Sequence, residues 1–260
     1  MLLYYDGSFE GLLTAIFRAY EKKNRDITIM SRLEMDGPSM FDNEEVDTEP
    51  ALAFRVQAGL EKIGRELPHT VYLAWLSRHS GIDDDIYAFV RLCMKHKTDM
   101  SSHKATPYVK RVVEAVRKVG WEQMRFLQFV RFVKIDEGLY GADIEPEYPI
   151  LHLIANHFFQ RFSNQKFIIR DLRHKIAMVS DGDSYNLIEL PEDNPPLPRD
   201  AFDGLWHAYF KTIAIKERIN PKLQQAFIPK RYRRHMPEFV EGAEKNCSRG
   251  TGLSSNRDPR

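Results

Sequence analysis

The chain has 260 residues, 43% of them apolar and 29% charged, with 38 lysines and arginines against 37 acids and a net charge of +1. That length supports one sizeable core or two small ones, and the near-zero charge means that any contact with an acidic polymer must come from local patches. Two cysteines, Cys93 and Cys247, are too few for a disulfide framework or a four-cysteine metal site, and no apolar run approaches the roughly 20 residues needed to span a bilayer.

Low cysteine usage and the lack of a signal-peptide pattern set the expectation of a cytoplasmic protein with no membrane contact. Leu2-Leu3-Tyr4-Tyr5 reads as a strand, and Asp6-Gly7-Ser8 turns it into an amphipathic helix whose stripe is Phe9, Leu12, Leu13, Ile16, Phe17 and Tyr20. Ile27–Met30 is a plausible second strand, so the chain opens as a β-α-β unit with a parallel pair. Glu34 to Glu49 holds seven acids and no base, with Gly37 and Pro38 inside it, and reads as a loop.

From about 50 to 128 the pattern is that of an inserted helical block. Helices are expected at Pro50–Gly64, Pro68–His79, Asp83–Lys95, Thr106–Val119 and Gly120–Gln128. Phe129 to Glu137 switches to alternation and suits a half-buried strand, with Leu139–Ile144 as its hairpin partner. Pro149–Phe162 is a helix. Lys166–Asp171, Lys175–Ser180 and Ser184–Leu190 read as an antiparallel meander. Glu192–Pro198 is a proline-rich linker, followed by helices at Arg199–Arg218 and Pro221–Phe227. The expected class is α+β: a β-α-β opening, a helical insertion and an antiparallel sheet flanked by helices. These form one domain over residues 1–240, with a disordered tail at 241–260.

Two kinds of chemistry stand out. From Lys222 to His235 there are five cations and no acid, with an aromatic at Tyr232. Cations around a ring suit a phosphate backbone with an exposed base, and equally a helix end whose charges answer the dipole. Lys104 to Lys134 carries eight more cations against Glu114 and Glu122, and Arg125, Arg131 and Lys134 flank Trp121, Phe126 and Phe132. The second kind is acidic. Asp6 sits where a strand gives way to a helix, and Asp143, Glu145 and Glu147 alternate around Pro146. Such carboxylates can bind Mg²⁺ or share a proton, or simply edge a polar strand. His152 and His157 are five apart and do not share a helix face, Cys93 reads as a buried inert thiol, and no metal or cofactor site is assigned.

Several segments together resemble a known family. They are Tyr4–Phe17, Phe132-Val-Lys134 with Gly138–Pro146, Asn156-His-Phe158 with Arg161-Phe162, Ile169–Arg173, and Phe227-Ile-Pro-Lys-Arg-Tyr232, along with Leu205-Trp206, Tyr209-Phe210 and Asn220-Pro221. The family is that of bacterial proteins described as probable DNA metabolism proteins. Its members are typically encoded beside a radical SAM protein and are sometimes fused to a uracil-DNA glycosylase-like domain. The resemblance covers about residues 1–240 and implies a companion role in a system acting on DNA bases. The radical SAM cluster needs three cysteines, so that chemistry belongs to a partner, as does any base excision.

The reading that follows is a DNA-binding accessory protein. Lys230, Arg231, Arg233 and Arg234 contact phosphates, Tyr232 stacks on a base, and Arg125, Arg131 and Lys134 extend the track. A metal-dependent nuclease or nucleotide hydrolase using Asp6, Asp143, Glu145 and Glu147 is the alternative, and a protein-interaction module without DNA affinity is a third.

Overall fold

The computed structural model describes residues 1–22, 26–34, 43–190, 232, 235 and 236. The chain forms two compact units, the first Met1–Glu122 and the second beginning at Gln123. The class is α+β, as the sequence patterns indicate.

In the first unit, β1 (Leu2–Tyr5) leads into α1 (Phe9–Glu21). The turn between them depends on Gly7, whose φ of +87° lies in the left-handed region. Ser8 then caps α1, its Oγ accepting from the Gly11 N–H at 2.9 Å. β2 (Thr28–Ser31) returns parallel to β1, from Leu2 opposite Thr28 to Tyr5 opposite Ser31. The acid-rich stretch is not wholly loop. β3 (Asn43–Glu45) lies within it and pairs in parallel with the other side of β1, giving the order β2-β1-β3. Three polar residues gave no apolar alternation to detect; backbone bonds to β1 set the pairing, and Tyr4, Lys22 and Arg32 reach the carboxylates of Glu44 and Glu45. β1 is therefore central, and Leu3 and Tyr5 are fully buried.

Four helices follow: α2 (Pro50–Ile63), α3 (Leu67–Leu76), α4 (Ile82–His96) and α5 (Pro107–Phe129). The two helices expected on either side of Gly120 are one. A single glycine costs a helix only about 1 kcal/mol, and Val109, Val112, Ala115 and Val119 keep one face of the continuous helix buried.

The start of α4 explains how the helices attach to the sheet. Its first turn carries three consecutive acids, each taken by a different element. Asp83 accepts from the Tyr5 hydroxyl of β1 at 2.9 Å, and Asp84 from the Ile29 N–H of β2 at 3.4 Å. Asp85 accepts from Arg111 Nε of α5 at 2.6 Å. The helix N-terminus favours all three charges.

The second unit takes in the end of α5 and a five-stranded sheet: β4 (Val133–Asp136), β5 (Leu139–Ile144), β6 (Lys166–Asp171), β7 (Ile176–Ser180) and β8 (Tyr185–Glu189). The order is β4-β5-β6-β7-β8. The hairpin and the meander are antiparallel as expected, but β5 and β6 pair in parallel, from Leu139 opposite Lys166 to Ile144 opposite Asp171. The helix between them, α6 (Leu151–Arg161), is the crossover that a parallel pair requires. Phe132, expected beside a basic track, belongs to the core: its ring lies 4.7 Å from Phe162 and 5.6 Å from both Phe158 and Phe167. The linker, the two helices and the tail expected after residue 190 lie outside the described residues.

Candidate functional site

Asp6 is exposed at the end of β1, where a parallel sheet presents its ligand-binding edge. Its carboxylate is already engaged. Oδ1 accepts from the Ser8 N–H at 2.8 Å and the Ser8 hydroxyl at 2.7 Å, and Oδ2 from the Thr48 hydroxyl at 2.9 Å. Burial alone would raise its pKa, but these donors hold it below the ordinary carboxylate value. Asp6 acts here as the clasp of the β1–α1 turn. A methyl group added to Gly11 would fall against Asp6 Oδ1 and lie 2.8 Å from Tyr5 Cδ2. Gly11→Ala should therefore destabilise the chain by about 1–3 kcal/mol even though alanine is the better helix former. Chemical denaturation checks this, and a stabilised variant would show that Asp6 moves aside at no cost.

Behind that turn is a group the sequence did not single out. Asp83 is 4% exposed, and burial, only partly offset by the Tyr5 hydrogen bond, pushes its pKa up to about 6. Burial and the nearby Asp83 charge also raise the Tyr5 phenol above its ordinary value. Arg78 bounds the cluster, its guanidinium 3.9 Å from the Trp75 ring and its Nη1 donating to the Gly7 carbonyl at 3.0 Å. The one signal in the sequence was the acid run Asp83–Asp85, which is also what a solvated helix start looks like.

The three alternating acids of the second unit have separate partners. Asp143 forms a two-pronged pair with Arg170, Nε to Oδ1 at 2.6 Å and Nη2 to Oδ2 at 2.8 Å. Glu145 faces His235 Nε2 at 3.1 Å, and Glu147 accepts from the Tyr148 hydroxyl at 3.4 Å. Asp6 lies in the first unit and these acids in the second. Among the described residues no three His, Cys, Asp or Glu side chains come together as metal ligands. Cys93 is fully buried, and burial raises its thiol pKa.

The expected cationic track divides. Lys230, Arg231, Arg233 and Arg234 lie outside the described residues. Tyr232 is described and is 4% exposed, its ring edge-on to Phe126 at 5.0 Å and near Phe129 at 6.2 Å. Arg125 lies 5.8 Å over the same ring. In this fold Tyr232 packs the unit, and no open face of it meets a base. Arg131 Nη1 donates to the Gln128 carbonyl at 2.9 Å, which closes the end of α5. Lys134 is exposed on β4.

An exposed aromatic does occur nearby in the sequence. Trp121 is 56% exposed on α5 with the Arg117 guanidinium 4.7 Å from its ring, and Lys110 and Lys118 are exposed on the same helix. The sequence places Trp121 with Phe126 and Phe132 in the basic stretch flanked by Arg125, Arg131 and Lys134, and of these three rings it is the exposed one. The i, i+4 spacing of Arg117 and Trp121 places the two together on one helix face.

No described helix is long and apolar enough to cross a membrane. The molecule is thus an α+β protein whose acidic candidates are tied into structural pairs and whose exposed surface includes a cation–tryptophan pair. The family model of DUF4130, a domain of unknown function, matches residues 80–238. That is more than half of the chain, and the chain belongs to this family. The match begins just before α4 and leaves the β-α-β opening outside. No curated protein gives a significant match.

Proposed function

We propose that this chain is a cytoplasmic DNA-binding accessory protein of a DNA repair or modification system, a companion to a radical SAM protein or a uracil-DNA glycosylase-like protein. The observation that carries the reading is the Arg117–Trp121 pair, an exposed indole with a cation over its ring on a lysine-bearing helix face. Exposed aromatics beside cations hold single-stranded nucleic acid by stacking, with phosphates drawn to the charges. Stacking is thereby moved from Tyr232, which is buried, to Trp121. Lys230, Arg231, Arg233 and Arg234, with Arg125, Arg131 and Lys134, remain the phosphate-contacting set of the proposal. The similarity of Gly138–Pro146 and Phe227–Tyr232 to the probable DNA metabolism proteins supports the same reading.

Fluorescence anisotropy with single- and double-stranded DNA over a salt series tests it. Trp121→Ala should weaken single-strand binding by about tenfold or more, the value of one lost base stack. Replacing Lys230, Arg231, Arg233 and Arg234 together by alanine should flatten the salt dependence across all sequences. No binding at about 50 mM salt, where phosphate contacts are strongest, would rule the proposal out.

A further inference from the structure

The first unit has an apolar groove of about 320 Å³ with walls formed by α1, α2 and α4. Phe17 and Tyr20 of α1 line one side, and Gly59 of α2 and Met94 of α4 meet in its floor. Tyr20 is 62% exposed, a large apolar ring left at the rim. A side-chain carbon on Gly59 would stand 3.0 Å from Met94 Cε, so the glycine keeps the floor open while a flexible thioether adapts beneath it.

The charges at the groove are of one sign. Arg55 and Arg91 are its charged lining residues, and no carboxylate lines it. Each guanidinium lies over a lining ring, Arg55 at 4.6 Å from Phe17 and Arg91 at 5.6 Å from Tyr87. Elsewhere Arg18, Arg32, Arg111 and Arg170 each pair with a carboxylate. Arg55 and Arg91 are exposed and form no ion pair among the described residues. Two cations over aromatic walls, beside an open apolar floor, are complementary to an apolar segment with acidic flanks.

We infer that this groove docks a segment of a partner protein that presents apolar anchors at helical spacing between acidic residues. The inference is independent of the DNA reading, because it uses α1, α2 and α4 while Arg117 and Trp121 belong to α5.

The probe is a short fluorescein-labelled synthetic peptide with leucines at i, i+3, i+4 and i+7 flanked by glutamates, compared with a sibling flanked by lysines, both titrated with the full chain. The acidic peptide should bind at least about tenfold more tightly than its sibling. Arg55→Glu with Arg91→Glu, two exposed positions, should invert that preference, an outcome that no general loss of stability produces. Gly59→Leu, which fills the floor against a movable methionine, should weaken the acidic peptide by a similar factor. Trp121→Ala should leave peptide binding unchanged while weakening DNA, so that the two readings fail separately. Equal binding of both peptides, no binding of either, or an unchanged preference in the charge-reversed variant would overturn the inference. So would binding of phosphatidylglycerol vesicles with no affinity for the acidic peptide, which would make the groove a lipid contact.

Discussion

Asp143→Asn should lower the stability of the chain by about 3 kcal/mol, read as a fall in the urea midpoint with an unchanged slope. Arg170 is 5% exposed, and two of its donors end on the Asp143 carboxylate at 2.6 and 2.8 Å. Amidation leaves the geometry nearly intact but removes the negative charge that faces a buried guanidinium, and taking one charge from a buried pair is the costly way to break it. Replacing both partners, Asp143→Leu with Arg170→Met, should recover part of the loss, because both charges of the buried pair then leave together. The same variant separates the structural role from the metal-dependent alternative. A structural Asp143 predicts easier unfolding whatever cation is added. If Asp143→Asn unfolds like the parent but abolishes a Mg²⁺-dependent turnover, the pair is not what holds Asp143 in place.

Asp83→Asn has the opposite sign. An acid whose folded pKa is raised from 3.8 to about 6 binds its proton more tightly in the native state. Its contribution to stability is fully present below about pH 4 and is lost as the pH rises through about 6. Near neutral pH the charged carboxylate is therefore a burden of about 2–3 kcal/mol, already lessened by the Tyr5 hydroxyl, the Arg78 charge and the Ser31 backbone. Asparagine keeps an oxygen for that hydroxyl and carries no charge. The variant should be more stable than the parent near neutral pH by up to about 2 kcal/mol, and the difference should vanish near pH 4. Denaturation midpoints of both proteins across that range test it. A constant difference at every pH would show that Asp83 does not titrate in this window.

Local patterns gave most of the elements. The change of period after Tyr5 marked the β-α-β opening, and the Gly and Pro punctuation marked α2, α3 and α4 within a few residues. Partnership was harder to read. β3 has no side-chain signature because its three polar residues are held by backbone bonds to β1. The β5–β6 pairing escaped because alternation says which face a strand buries, not which neighbour it takes or in what direction. Gly120 was overread, since its effect depends on the buried valines and alanine that hold α5 straight through it. The candidate acids have partners that local sequence could not supply: Asp143 pairs with Arg170, 27 residues away, and Glu145 faces His235, 90 residues away. Tyr232 shows the same limit: a ring among cations reads as a stacking surface until its burial on Phe126 is seen.

The parallel pairing of β5 with β6 also fixes an order of events. β4 with β5, and β6 with β7 and β8, are hairpins that can close on their own within microseconds, since each joins neighbours in the chain. The seam between the two sets cannot close until α6 has bridged it, because β5 and β6 can lie side by side only with the crossover folded back. Within the five-stranded sheet, joining the two sets at one non-local edge costs the most loop-closure entropy, which must be met before the contacts that reward it form. Until then β5 and β6 each have an unpaired edge, and the opposed charges of Asp143 and Arg170 mark the register at which those edges meet.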